Sequence, residues 1–520
     1  MTQTSVLELF HRSEMSERVA LVNRSAAYTY GETAAAIDRV AAGLWALGVR
    51  KGDRIGIYVT NTPQLVQLTF AVWRLGAVTV FVDTFHVLPV AMAWWNDTGV
   101  KCVVIDENFL DAAAPHLAEL APGKLVISTG SQVAPAHRNT GRHKAAPGVL
   151  PWSTLLDGHP PPPPVTVEDA DQLLVIRTSG TTARPKGICH SLHNLNARLR
   201  SHLRCPQFTP DDVACPMLRM TTVPGLNAVS LPALAVGARV IMVTNLDPVA
   251  ALEQVVDMGA TLVMVGPALV HRLLKVAETR PELTRTRLRF AMTGGDKMPI
   301  PLRRAWDETF GVPLLDGFGY SETLGGVLIN RLDDTDHAGN VGYPFPEVEV
   351  RLVDEDGHDV PDGTAGEMWL KADFLFTGYL DEPERTRAAL VDGWFRTGDY
   401  LTRDAGGRYH PLGRRDFQIM CGTLNVSPVE LESIILNDAA IADCMVAGFP
   451  HEVLGQEIGA FLVLREPRTL DQVKDRLLSR VGPLMCPAHF WTVAEIPRTG
   501  PGKVDRRAAE QLRARATPLV

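Results

Sequence analysis

The order of strand-like and helix-like stretches constrains this chain more than any other feature. Thr29-Tyr30-Gly31-Glu32 turns the chain into a helix, in which Ile37, Val40, Ala41, Leu44 and Leu47 recur at helical spacing until Gly48 closes it. Lys51-Gly52-Asp53 leads into an apolar strand at 55–59. A second helical pattern at 64–75 leads through Gly76 to a strand at 78–82, and further strands are expected at 102–105 and 124–128. Strands separated by helices pair in parallel, because the chain returns along the covering helix. The fold class is therefore α/β. A second alternating block covers 195–330, with strands expected at 239–243, 261–265 and 288–293. From 340 to 412, short strands and turns rich in Gly, Asp and Pro describe a β-rich subdomain. The remainder reads as a small α+β unit with helices at 428–437 and 469–481 and strands at 443–448 and 458–464. At 520 residues the chain is too long for one core. The expected division is a large N-terminal domain at 1–412 with two doubly wound sheets, a hinge at 413–417 and a small mobile domain at 418–520.

The stretch 173–187, LLVIRTSGTTARPKG, carries the first chemical signal. Its apolar strand empties into Thr178-Ser179-Gly180-Thr181-Thr182, followed by Arg184, Pro185 and Lys186. Such a loop turns backbone N–H groups and hydroxyls toward an anion, and the lysine adds charge. The Walker pattern is absent, since here the lysine follows a proline and precedes a glycine. Taken alone, these residues read first as an ordinary surface turn. Upstream, 129–151 loses periodicity and reads as an exposed loop, and the proline run 160–164 reads as a stiff spacer delivering the chain to the strand.

A net charge of −8 argues against nucleic acid as a general partner, while leaving room for one locally positive pocket. Seven scattered cysteines without a C-x-x-C pair point to reduced thiols and a cytoplasmic protein. The N-terminus lacks a signal-peptide core, and no apolar run is long enough for a membrane span. No feature of the sequence sets an oligomeric state.

Four further stretches follow this loop in order: Asp316-Gly317-Phe318-Gly319-Tyr320-Ser321-Glu322-Thr323, Gly393-Trp394-Phe395-Arg396-Thr397-Gly398-Asp399, Gly413-Arg414-Arg415-Asp416 and Pro497-Arg498-Thr499-Gly500-Pro501-Gly502-Lys503. Together with 178–187 this series resembles the AMP-forming adenylating superfamily of acyl-CoA synthetases, adenylation domains and luciferases, over nearly the whole chain. The resemblance implies ATP and Mg²⁺ as cofactors. Thr178, Ser179, Gly180, Thr181, Thr182 and Lys186 would hold the β- and γ-phosphates. Asp316, Gly317, Phe318 and Gly319 would frame the nucleotide, with Phe318 on adenine. Ser321 would face the α-phosphate and Glu322 would hold Mg²⁺. Asp399 and Arg414 would take the ribose. Lys503 would bridge the attacking carboxylate and the α-phosphate and, with Glu322, would be catalytic. His193 is read as capping or packing support for the phosphate loop.

Several positions depart from that pattern. Arg219 takes a place usually held by histidine near the acid substrate, and it either faces the pocket, favouring a polar or anionic acid, or points to solvent. Gly294 and Gly295 match the double-glycine loop along the substrate pocket, where Tyr320 also belongs. Asp296 and Lys297 replace small apolar residues there. In the hinge loop Met420 takes a lysine position and Thr423 a glycine position, where pantetheine would pass; the alternative is a one-residue shift in which Gly422 supplies that glycine. The implied reaction activates a small acid as its AMP anhydride, releases pyrophosphate and passes the acyl group to an acceptor. CoA is the first choice of acceptor. A carrier protein is one alternative, adenylation of nitrite for transfer to an aromatic amine (a diazotase-like reaction) is another, and a nucleotide-binding regulator without catalysis is a third.

Overall fold

The structure is a computed structural model that describes residues 5–84, 88–121, 123–129, 148–178, 186–205, 208–244, 246–295, 298–334, 339–414, 417, 419–421, 424–451, 455–481, 486–499 and 503–519. Its α/β architecture is the one the strand–helix alternation demands. One eight-stranded sheet runs in the order Gly378–Tyr379, Lys186–Ser191, Gln172–Thr178, Val78–Phe81, Arg54–Tyr58, Cys102–Asp106, Leu125–Thr129, Val149–Pro151. From Gln172–Thr178 onward its neighbours are parallel. A nine-stranded sheet is built mainly from the second alternating block and recruits Val19–Val22 and Ala27–Thr29 at one edge. A five-stranded sheet covers 349–414, and a six-stranded sheet forms the C-terminal unit.

The first helix shows why these boundaries fall where they do. Thr29 accepts from the Glu32 N–H while the Glu32 carboxylate accepts from the Thr29 N–H, a reciprocal cap that starts Tyr30–Ala46. Pro63 occupies the first turn of Pro63–Arg74, with Thr62 as its cap. Both helices pack between the two large sheets. A single apolar cluster holds Ile37, Val40 and Leu44 with Leu65 and Trp73, Ile55 and Ile57 of one sheet, and Leu21, Ala214 and Leu262 of the other. The strand Gln172–Thr178 is fastened from behind. The Trp73 indole N–H donates to the Leu173 carbonyl at 2.9 Å, and the Thr79 hydroxyl donates to the same oxygen at 3.0 Å. The proline run 160–164 lies outside any helix or strand on the way to that strand.

The stretch 129–151, expected to be an exposed loop, ends in the edge strand Val149–Pro151, which only its pairing with Leu125–Thr129 creates. Among the other elements not read in the sequence, two shape the site. Lys186–Ser191 is a strand antiparallel to Gln172–Thr178, with Thr178 paired to Lys186. Leu314–Tyr320 is a strand that puts the Asp-Gly-Phe-Gly-Tyr stretch on the nine-stranded sheet, folding back onto Gly325–Ile329. The fold-back is tight: a Cβ on Gly319 would lie 2.0 Å from the Gly325 carbonyl oxygen. Gly319→Ala is therefore expected to cost roughly 1–3 kcal/mol through forced backbone displacement. A lowered midpoint in urea unfolding reports it, and an unchanged midpoint contradicts this packing.

Candidate functional site

The site gathers where strand ends from three sheets converge with the C-terminal unit. Trp394–Arg403 and Tyr409–Arg414 are antiparallel neighbours, and their register sets Asp399 opposite Arg414. Gly398 adopts a left-handed backbone (φ +73°), and a Cβ there would lie 3.0 Å from Arg414 Nη2. The Asp399 N–H donates to the Thr397 hydroxyl at 3.1 Å, and that hydroxyl donates to the Met368 carbonyl. Asp399 is only 8% exposed. Burial raises its carboxyl above the ordinary aspartate value. Arg414, the Tyr320 hydroxyl and Lys503 pull it back, and Glu322 opposes them.

Tyr320 arrives from the nine-stranded sheet. Burial and the neighbouring Asp399 charge push its phenol well above the usual range. Its ring packs edge-on against Phe318 and Phe395, at 5.6 Å in both cases. Two residues on, Glu322 Oε1 accepts from the Tyr379 hydroxyl at 2.8 Å, and the Glu322 carbonyl accepts the Phe376 N–H. The Tyr379 ring lies beneath the Lys186 ammonium at 5.0 Å and within 5.4 Å of Arg385. Lys186 is shifted down by burial and then by Arg385 and Arg414, against the pull of Glu322 and Glu382. Lys186, Arg385 and Arg414 thus form a group of mutually repelling cations, offset by the carboxylates of Glu322 and Glu382, the latter 3.0 Å from Arg385. That is what a polyanion would relieve.

Thr178 and Lys186 end the two paired strands. Ser179, Gly180, Thr181 and Thr182 lie outside the described residues, as do Asp296, Lys297 and Thr423. Met420 belongs to the short strand Ile419–Cys421. Ser321 opens the short turn after Tyr320, and its carbonyl accepts from His190 Nε2 at 2.8 Å. Burial lowers His190 to about 4, so the ring is neutral at ordinary pH. His190, not His193, links this strand to the site. Ser191 and Asn194 cap the helix Leu192–Arg204, and His193 reaches Asp373 at 3.3 Å.

Asp316 sits deeper. Its Oδ2 lies 3.6 Å from Arg303 Nη2, both side chains are buried, and its backbone pairs twice with Asn330. Gly317 pairs in parallel register with Gly294, and Gly295 (φ +88°) turns the chain away. Arg219 is paired: its Nη1 lies 3.2 Å from Asp83 Oδ1, bridging segments that follow strands of different sheets. Asn61 secures the bridge from below, donating to the Leu218 carbonyl and accepting the Met220 N–H, each at 2.8 Å. Lys503 is exposed, next to an isolated bridge between Arg498 and Val504. Its charge is among those acting on Asp399. Asp83, His190, Tyr379 and Arg385 were missed in the sequence. No motif marks them, and each matters through a partner distant in the chain.

A fold of two large sheets, a β-rich subdomain and a small C-terminal unit, with these charges at the junction, defines a class of nucleotide-activating enzyme. Residues 10–380 match the AMP-binding enzyme family and residues 430–503 match the AMP-binding enzyme C-terminal domain. The chain belongs to this family and is an AMP-forming ligase. It is 30% identical over 516 residues to a 3-hydroxybenzoate–CoA ligase of Aromatoleum sp., covering 96% of this chain and 94% of that one. It is 29% identical to a sulfoacetate–CoA ligase of Cupriavidus necator, covering 92% and 91%. Among solved structures, ATP-bound MatB from Rhodopseudomonas palustris superposes with a TM-score of 0.86 at 27% identity, covering 98% of this chain and 99% of that one. Among the described residues no helix is long and apolar enough to cross a membrane.

The raised carboxyl of Asp399 has a consequence for stability. Its value in the fold exceeds that in the unfolded chain, so the wild type loses stability as pH rises from the unfolded value through the folded one. Asp399→Asn removes that loss. The variant is expected to melt higher than wild type at pH 7, with the difference shrinking toward pH 4. A variant that melts lower at pH 7 contradicts this charge balance.

Proposed function

We propose that the protein activates a small polar or aromatic acid with ATP and transfers it to CoA. The acid's carboxylate oxygen attacks the α-phosphorus, pyrophosphate leaves, and an acyl adenylate forms. The thiol of CoA then attacks the acyl carbon and AMP leaves. The observation that carries this reading is the convergence of Lys186, Glu322, Asp399 and Arg414, with Lys503 close enough to influence Asp399. Lys186, with Arg385 beside it, suits the departing pyrophosphate. Asp399, held as an acceptor beside Arg414, suits the ribose hydroxyls. Phe318, only partly buried, offers a ring face to adenine.

The residues present fit Mg²⁺. Glu322 spends one oxygen on Tyr379 and keeps the other for a hard cation. Mg²⁺ bound there would neutralise phosphate charge. Lys503, carried on the C-terminal unit, would stabilise the converging oxygens at the moment of attack. The names of relatives such as the 3-hydroxybenzoate–CoA and sulfoacetate–CoA ligases support CoA as acceptor.

Lys503→Ala is expected to lower acid-dependent pyrophosphate release by about 10²–10³-fold, since it removes one charge aimed at the transition state. ATP binding, followed by calorimetry, should change little. Unchanged pyrophosphate release would overturn the assignment of Lys503. Omitting CoA should stop thioester formation while a single burst of pyrophosphate survives.

A further inference from the structure

The helix Leu192–Arg204 buries a complete guanidinium. Arg198 is 1% exposed, and its Nε, Nη1 and Nη2 have no hydrogen-bond partner among the described residues. Two aromatic rings hold it, with Phe345 at 4.6 Å and Phe374 at 4.7 Å from the guanidinium carbon. Stacking serves the faces of the cation, but its N–H groups radiate from the edge and remain unmet. Burial lowers Arg198 to about 9, so it stays charged at neutral pH. One turn on, His202 is also buried with an unpartnered Nε2, edge-on to Phe345. An unpaired buried charge is among the costliest features a fold can contain.

The location explains why it is retained. A Cβ on Gly325 would lie 3.9 Å from Arg198 Nη2 and 3.6 Å from Val223. Gly325 pairs with Tyr320 and follows Glu322 by three residues, so the guanidinium borders the site described above. Val223 precedes Pro224–Ser230, a π-helical turn of a kind that recurs at functional sites. Thr221 Oγ1 and Asn227 Nδ2 in this segment are buried without partners as well. Arg219, which ends the chain stretch before this turn, is engaged with Asp83.

We propose that Arg198 binds a second anionic group, a carboxylate or a sulfonate, at the end of the acid substrate remote from the reacting carboxylate. This rests on the adenylate-forming reading. The two rings fix the plane of the fork, and a planar carboxylate or a sulfonate face can accept two parallel N–H bonds from it. An acid lacking that group leaves the buried cation unpaired and is rejected more strongly than size alone would allow.

The test uses the full-length enzyme and matched acids: benzoate against 3-carboxybenzoate and 3-sulfobenzoate, and acetate against malonate and sulfoacetate. Wild type should show higher kcat/KM for at least one doubly charged member of a set than for its parent. Arg198→Leu should lower the ratio of doubly to singly charged acid at least about 100-fold with KM for ATP unchanged, and Arg198→Lys should fall between. The carboxylate and sulfonate arms identify which anion fits. Wild-type preference for the parent acids throughout, or a loss in Arg198→Leu that is equal for all acids, overturns the proposal. Calorimetric binding of a doubly charged acid that is lost in Arg198→Leu, with no pyrophosphate released by wild type, would keep the anion site and remove the adenylation reading.

Discussion

A carboxylate held out of water organises this molecule's chemistry. Asp399 is fixed in an extended strand, and the strand register alone brings Arg414 opposite it. Tyr320 reaches it from the nine-stranded sheet, and Lys503 acts on it from the C-terminal unit. Three separately built parts of the chain therefore meet at one negative charge. In low-dielectric surroundings each of those neighbours counts for more than it would at a surface.

Lys186, Arg385 and Arg414 repel one another at a cost to the fold. Burial and like charges push Lys186 toward losing its proton, and Arg414 and Arg385 add to the repulsion. Tyr379 joins the two halves of this arrangement by donating to Glu322 and lying under Lys186. Tyr379, Glu322, Lys186, Asp399 and Arg414 are carried on or beside strands of three sheets, so their relative positions are set by the fold. Stability is given up for that preorganisation, a common trade at active sites.

Much of this was legible in the sequence because apolar runs bounded by glycine turns leave little choice. The strand expected at 55–59 forms as Arg54–Tyr58, and that expected at 102–105 as Cys102–Asp106. The C-terminal helices expected at 428–437 and 469–481 form as Pro428–Ile435 and Leu470–Val481. The strand Lys186–Ser191 was hidden because KGICHS mixes lysine, glycine and serine with few apolar residues, and only pairing with Gln172–Thr178 makes it a strand. Partners were the harder part. Nothing near Arg219 in the chain announces Asp83, and nothing in NARLRSH says that Arg198 is enclosed by rings from 345 and 374. Those facts belong to tertiary packing. His190 and His193 both lie beside the helix start, and only burial separates the one that bonds the Ser321 carbonyl from the one that reaches Asp373.

The most direct measurement is exchange of radiolabelled pyrophosphate into ATP by the full-length enzyme, in the absence of CoA, across a panel of carboxylic and sulfo-substituted acids. Reversible formation of an acyl adenylate predicts exchange that requires an acid and proceeds without thiol. Exchange independent of any acid, or acid-dependent cleavage of ATP to ADP and phosphate, would contradict it.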